Sequence, residues 1–535
     1  MLDLSWCRIS GSSSLVCDYT RGDEWLEALF AGSREQRRCE PSAIAAIEQT
    51  MALAEPTSSQ RANLEKLSAG GAVVISGQQV GFLGGPLYTW LKIATIVAIA
   101  RFRDAVPVFW IEDNDHDIAE AQQVGIIAPD DTLRTLDCPT DRRYPEQTIV
   151  AACRIGEAIA EQLGMLATLY AKLPHADAAI ERLEQCYRPG SSWSEAFLQW
   201  HNTFWSAHGV LFVRSSVLRS IGAMRPMIER ELRSPGELAA AVAEQTAVLV
   251  ERGYPAQIEA ADVNVFFHDS QQRFRIHRDD EKRFRIAGRS TNRDELLAML
   301  DREPDRFSPS AALRPLVQDS LFAPIVTVLG PAELQYHAQL RRVYDRWHVP
   351  KPQLSLRCSA TLVPPRVMRL LQQYPDDVEV FFQPQRVFDR WLARQLDSHA
   401  LIERAVATER TVRTALEEFE RDAEQLDPTL ARSVRATAHV IGERLHRLQA
   451  KVRRAILRRN EQQTARFRAA RVHVFPNDGL QERSIAPIHW VCSLGIERWA
   501  AALIGAAERA GRAHYIATPD ELIGVLGTPV VTSYV

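Results

Sequence analysis

Residues 71–120 read GAVVISGQQVGFLGGPLYTWLKIATIVAIARFRDAVPVFWIEDNDHDIAE, and the order of textures within them decides the fold. Two apolar runs, 72–76 and 106–112, have the composition of buried strands. Between them, 87–103 spaces apolar residues as a helix does, with Ile93, Ile96, Val97 and Ile99 as candidates for burial. Strand, helix and strand within about forty residues make a βαβ unit. Open sheets of that kind bind ligands just outside the carboxyl ends of their strands. Both runs open there into groups able to do chemistry. After the first come Gly77, Gln78, Gln79, Gly81, Gly84, Gly85 and Pro86, then Tyr88, Thr89 and Lys92. After the second come Asp113, Asn114, Asp115, His116, Asp117 and Glu120.

Outward from this unit the same grammar returns. A strand at 325–329, the turn Gly330-Pro331, a helix at 332–347 and a strand at 353–357 read as the other half of one sheet. Between the halves lie helices, a short buried strand at 210–213 and alternating runs at 263–268 and 273–277 that suggest an antiparallel meander closed near Gly288. The stripe Trp193, Phe197, Trp200, Phe204 and Trp205 has helical spacing and reads as core. The chain divides into a helical segment 1–70, a core 71–399, a hairpin 400–470 and a segment 471–535 returning to the core, with 472–475 expected as a strand.

The hairpin shows in two seams of alternating three- and four-residue spacing. Ile402, Ala405, Val412, Leu416, Phe419, Ala423 and Leu426 form one, and Val434, Ala438, Ile441, Leu445, Leu448, Val452 and Ala455 the other. Asp427-Pro428 stops the first helix and starts the second. Residues 401–427 hold four Arg against eight acids, and 429–470 hold eleven Lys or Arg against two Glu. An antiparallel pairing of the arms accounts for that basic run without nucleic acid. A net charge of −3 argues neither for nucleic acid nor for an anionic membrane as partner. No apolar run approaches the ~20 residues of a membrane span. The start has no signal-peptide form, and the eight scattered cysteines include no CxxC pair, so a cytoplasmic protein with reduced thiols is expected.

The glycines at 77–85 match neither the dinucleotide fingerprint nor a P-loop. A glycine-rich loop leading into a helix N-terminus suits a phosphate or carboxylate, with Lys92 adding charge. The alternative is a tight turn without ligand, but a loop with four glycines, two glutamines and a proline is costly to order, which favours the ligand. Four carboxylates and an imidazole within residues 113–120 can hold a hard cation such as Mg²⁺. Alternatively His116 contacts a nucleotide or acts as acid or base, or the aspartates merely cap the following helix.

The blocks ISGQQVGFLGGPLYTWLK and VPVFWIEDNDHDIAE, then SLFAPIVTVLGPAELQYHAQL, PQLSLRCSATLV and VHVFPNDGLQERSIAPI, in that order, resemble the bacillithiol synthase family, the cysteine-adding enzymes of bacillithiol biosynthesis. The resemblance runs from about residue 70 to near the end. It implies an α/β fold: a Rossmann-like core of nucleotidyltransferase type, helical connecting regions and an antiparallel coiled-coil arm that forms a homodimer. The implied reaction, the final step of that biosynthesis, joins the cysteine carboxyl to the amine of glucosaminyl-malate. Carried over by position, the site takes Gly77, Gln78, Gln79, Gly81, Gly85, Pro86, Tyr88, Thr89 and Lys92. It also takes Asp115, His116, Asp117 and Glu120, then Gly330, Pro331, Glu333 and Tyr336, and from the tail Pro476, Asn477, Gln481, Glu482 and Arg483. Two departures stand out: Ser76 where threonine is expected, and Arg214-Ser215 where an acidic residue and a proline are expected.

Amide formation from a free carboxylate needs activation, and the implied fold suggests ATP and an aminoacyl-adenylate. In that scheme the 77–86 loop and Lys92 hold phosphates, and His116 stabilises charge at phosphorus. Glu333 or Asp115 takes the cysteine ammonium or a proton, and Arg357 grips a malate carboxylate. Another nucleotidyl-transferring or ATP-dependent ligase on the same fold, or a non-catalytic scaffold, are the rival expectations.

Overall fold

The computed structural model describes residues 1–33, 38–280, 282–509 and 511–523, so the last part of the expected segment 471–535 lies outside the described residues. The chain forms two compact units: residues 1–368 together with 480 onward, and Arg369–Gly479.

In the first unit, β1 (Leu2–Leu4) opens the chain, and β2 (Val73–Gln79) and β3 (Val106–Glu112) flank the helix Leu87–Arg103. A hairpin of β4 (Gln123–Ile127) and β5 (Leu133–Asp137) follows, then β6 (Leu211–Arg214). The meander contains β7 (Val265–Asp269), β8 (Gln272–Arg278), β9 (Arg283–Ile286) and β10 (Arg289–Asn292), and β11 (Phe307–Pro309) closes it. Then come β12 (Val326–Leu329), β13 (Gln353–Leu356), β14 (Ser359–Leu362) and, after the second unit, β15 (His514–Ala517).

The central sheet has the order β13-β12-β2-β3-β6, parallel throughout. From β2 the chain builds outward through β3 to β6, then returns to the other side of β2 for β12 and β13. The switch point therefore lies between β2 and β12, where a sheet of this kind opens a ligand crevice. Near-continuous burial of β2, β3 and β12 is what a parallel sheet covered on both faces requires. The Ser76 hydroxyl donates to the Val328 carbonyl at 2.7 Å across the switch point, so serine does there what a threonine hydroxyl could.

The helix Leu87–Arg103 is buried nearly all round. Its Trp90 packs among Trp200, Phe204, Trp205 and Trp499, with ring centroids 4.8 to 6.4 Å away, which makes the aromatic stripe core. The expected helix 332–347 is two, Pro331–Gln339 and Arg341–Trp347. In the small sheet β15 pairs antiparallel with β1 and parallel with β14.

In the second unit, helices Leu401–Leu426 and Pro428–Arg459 form the coiled-coil hairpin. Asp427 caps the second, its carboxylate accepting from Thr429 N at 2.8 Å. Between the arms Arg435 pairs with Glu420 at 2.6 Å, and the His446 ring lies 3.3 Å from Glu409. Ile402, Ala423 and Val434 are buried, whereas Phe419 (56%), Leu426 (81%) and Leu448 (53%) stand exposed along the same seams. The unit begins before residue 400 and ends after 470. Residues 472–475 are no strand: Glu461–Val474 is a third helix, whose register the alternating apolar residues also satisfy. Among the described residues, no helix is long and apolar enough to cross a membrane.

Candidate active site

A cleft of about 590 Å³ opens over the carboxyl ends of β2, β3 and β12. Gly77, Gln78 and Gln79 line it as the last residues of β2, not as a loop, in register with Trp110, Ile111 and Glu112 of β3. Gly77 lets the strands approach closely: a Cβ there would lie 3.0 Å from both Cβ and O of Trp110, so β3 would have to give by a few tenths of an ångström.

Lys92 reaches the floor from the Leu87–Arg103 helix and is 2% exposed. Its ammonium donates to Gly77 O and Gln78 Oε1, both at 2.8 Å, and meets Glu333 Oε2 at 2.5 Å. Burial pushes it below its ordinary value while Glu333 opposes the shift. Burial would raise Glu333, but Lys92 and the Gly330 N–H, 2.7 Å from the carboxylate, hold it below the usual range. An ammonium has three donors, and all three are engaged. Lys92 thus fastens the β2 end to the helix after β12, a different job from gripping phosphate. Around it, Gln78 donates to the Tyr88 hydroxyl at 3.0 Å, and burial pushes Tyr88 and Tyr336 up to about 12, so both remain neutral donors.

The acidic cluster separates into distinct jobs. Asp113 is wholly buried and turned away, bonded to Arg214 Nε at 2.9 Å, Ser215 Oγ at 2.9 Å and Ser216 N at 2.7 Å. Burial alone would raise its carboxyl; Arg214 and Ser216 bring it below its usual range. The departing Arg214-Ser215 turn thereby acquires a role, tying β6 to the end of β3. Asp117, expected as catalytic, caps the helix Ile118–Gln122 by accepting from Glu120 N at 3.0 Å and is not among the residues lining the cleft. Asp115, His116 and Glu120 do line it. Asp115 accepts from the Gln79 amide, and its other oxygen lies 3.6 Å from both Arg273 Nη1 and His116 Nδ1. Burial lowers His116 despite Asp115, favouring neutral imidazole; burial, then Asp117 and Asp115, raise Glu120. Among the described residues no group of three His, Cys, Asp or Glu converges as a metal site would. With Asp113 paired to Arg214 and Asp117 capping, this donor set does not fit an Mg²⁺ held by the protein.

Gly330, Pro331, Glu333, Tyr336 and Arg483 line the cleft as expected from the sequence, while Gly81, Gly85, Pro86, Thr89 and Gln481 do not. The loop after β2 is a packing device. Gly84 N donates to Tyr187 OH at 3.1 Å, Gly85 N to Phe82 O at 2.9 Å and Leu87 N to Ile485 O at 2.9 Å, so these amides face no ligand. Gly84 has φ +82°, and a Cβ there would meet Trp90 at 2.8 Å and Trp200 at 2.9 Å. Gln481 is buried against the Leu362 backbone. Asn477, with Pro476, belongs to the second unit, in the turn Pro476–Asp478. Arg357 edges the cleft, but its fork is already engaged: Nη1 and Nη2 meet Glu482 at 3.0 and 2.6 Å. The expected grip on a malate carboxylate would have to compete with that pairing.

Sequence reasoning missed Glu112, Asn264, Arg273 and Arg314, all lining residues. Glu112 ends β3 and accepts from Trp110 Nε1 at 3.0 Å and Ser215 Oγ at 2.7 Å; burial raises its carboxyl, opposed by Arg273 and Arg314. Arg314 donates to Tyr336 OH at 3.1 Å. Arg273, in the meander, stacks 3.9 Å over the Phe266 ring. Only Glu112 had a signal, as the last residue of a strand run.

A parallel Rossmann-type sheet with a charged cleft at its switch point places this chain among α/β proteins that hold a polar small molecule over strand ends. The chain belongs to the bacillithiol biosynthesis BshC family: the family's N-terminal Rossmann-like domain matches residues 3–358 and its C-terminal coiled-coil domain residues 360–518. Among its relatives, the protein of Salinibacter ruber named "Putative cysteine ligase BshC" is 30% identical over 433 residues, 78% of each chain. Proteins of the same name are 27% identical in Chlorobaculum tepidum, over 91% of this chain and 93% of the relative, and in Koribacter versatilis, over 82% of each.

Proposed function

We propose that this protein is a ligase that joins cysteine to glucosaminyl-malate through an amide, the final step of bacillithiol biosynthesis, with ATP activating the cysteine carboxylate. The observation that carries the reading is the cleft's divided charge. Glu112, Asp115 and Glu120 line it together with Arg273, Arg314 and Arg483. Such a site suits an amino acid's ammonium beside anions, and it belongs to a family whose relatives are named cysteine ligases.

ATP supplies a leaving group on the cysteine carboxyl. The cations facing the cleft, Arg314 and Arg483, hold negative charge there, and Asp115 or Glu120 holds the cysteine ammonium. His116, neutral through burial and beside Asp115, accepts the proton released as the sugar amine becomes an amide nitrogen. Lys92 keeps Gln78 and Glu333 where they are. No step runs through a resident metal.

The reaction belongs in the cytoplasm, where the free cysteines remain thiols. Exposed Phe419, Leu426 and Leu448 suit burial by a second copy, making the coiled coil a homodimer contact. The test is one incubation of purified protein with cysteine, glucosaminyl-malate, ATP and Mg²⁺, read by mass spectrometry. The cysteinyl amide appearing in step with AMP is expected. Product without nucleotide consumption removes ATP activation, and no product removes the ligation.

A further inference from the structure

Beside the cleft lies a second cavity of about 700 Å³ that the scheme above leaves unused. It is built by strand register. Arg275 and His277, two apart on β8, share a face of the meander. Phe266 pairs with Arg275 and His277 with Arg285 across the neighbouring strands, which puts an aromatic ring and three basic side chains on that same face. Ile276, Phe284 and Ile286, alternating with them, are buried on the other side. Among the described residues, no carboxylate lines the cavity. Asp279 meets Arg285 from an adjoining turn at 3.0 Å; Arg275 has no ion pair among the described residues, its guanidinium lying 5.5 Å from the Phe266 ring. Phe274 adds a second ring to the lining.

His116, Phe266 and Arg275 line both the cavity and the cleft, so the two spaces share a wall. We propose that this cavity is the subsite for the dicarboxylate portion of the acceptor sugar. The proposal rests on the acceptor named above. In that molecule the amine and the malate substituent sit on neighbouring carbons of one ring, so they require neighbouring subsites rather than distant ones. With the ring against Phe266, the amine reaches the His116 side of the cleft and the two carboxylates face Arg275 and Arg285. Guanidinium forks match carboxylates in charge and planar geometry. The basic face of the meander then selects the acceptor, while the sheet's switch point serves the activated carboxyl.

The experiment is calorimetric titration of the full chain and of Arg275→Gln/Arg285→Gln with three probes: glucosaminyl-malate, methyl glucosaminide, which lacks the dicarboxylate, and ATP. The wild type binds glucosaminyl-malate more tightly than methyl glucosaminide, and the double variant narrows that preference by about ten-fold or more. Arg275→Lys/Arg285→Lys recovers part of it, and thermal midpoints verify that each variant is folded. Unaltered glucosaminyl-malate affinity in the Gln variant overturns the subsite, as does a wild type that does not bind glucosaminyl-malate. A selective loss of ATP affinity overturns it in favour of a nucleotide site. Binding needs no turnover, so the two readings fail separately. Preference lost in the variant while the wild type makes no amide keeps the subsite and refutes the ligation; amide formed with preference unaltered does the reverse.

Discussion

Replacing Arg357 by methionine removes a guanidinium only 4% exposed that meets Glu482 through both terminal nitrogens. Glu482 then keeps Ser359 Oγ at 2.9 Å and Ala360 N at 3.1 Å but, among the described residues, no Lys or Arg at ion-pair distance. Breaking a buried pair from one side leaves an uncompensated charge and costs about 3–5 kcal/mol. Arg357→Met/Glu482→Leu removes both charges, and the double variant should regain most of that loss, because well-packed apolar replacements of buried pairs are often neutral or better. The pH dependence has a definite sign. In the wild type burial would raise the Glu482 carboxyl, but Arg357 holds it below its ordinary value of 4.5. Its contribution is therefore present above that value and lost as pH falls through the folded one. In Arg357→Met the Ser359 hydrogen bond and the nearby His514 remain against burial, but the cation that held the carboxyl down is gone; the folded value rises, and the ionised carboxylate costs stability at neutral pH. The deficit is greatest near pH 7 and narrows toward pH 4. Thermal unfolding of the four proteins across that range, with KM for glucosaminyl-malate at pH 7, is the assay. A stable double variant with a strongly raised KM would show that Arg357 serves ligand. A single variant as stable as wild type at pH 7 would refute the buried-pair argument outright.

Lys92→Met leaves Glu333 without its ammonium and should cost about 3 kcal/mol, with amide formation falling at least a hundred-fold, measured by melting and product mass. His116→Gln should remove an acid limb in the pH profile of kcat/KM: burial puts the imidazole below 6.5, so wild-type activity falls as pH drops through that lowered value, and Glu120→Gln distinguishes the carboxyl that burial raises. Asp117→Ala should lose about 1 kcal/mol of helix capping and keep kcat within about two-fold. Gly84→Ala should lower the melting point far more than Gly288→Ala, since both have φ +82° but a Cβ at Gly288 meets nothing within 4 Å.

The sheet was legible because its signals are local and dense. Strand, helix and strand in residues 71–112 repeat at 325–356, and parallel pairing of those strands follows from the helices between them. The hairpin was legible from charge and from Asp427-Pro428. The site was legible only where the strand ends lie. Glycine density at 77–85 reads equally as ligand loop or packed turn, and the aromatic surroundings that decide the matter, Trp90, Trp200 and Tyr187, come from distant segments. Arg357 looked available because its partner Glu482 lies far along the chain. The alternation at 273–277 marks a meander but not what its arginines face; only tertiary packing brings Arg273 and Arg275 to the cleft beside His116. The alternation at 472–475 failed because four residues satisfy a strand and the end of a helix alike.

The return of the chain after residue 479 has a consequence for how the protein is made. β15, Glu482 and Arg483 leave the ribosome after the long-helix unit. That unit consists of local contacts and can fold as it emerges. The first unit cannot finish on the same schedule: β1 waits for β15, its ladder partner among the described residues, and Arg357 waits for Glu482. During translation the nascent chain thus carries a buried-type arginine and an unpaired strand in search of partners. Protease sensitivity of stalled chains should end abruptly once β15 clears the exit tunnel, not gradually with length.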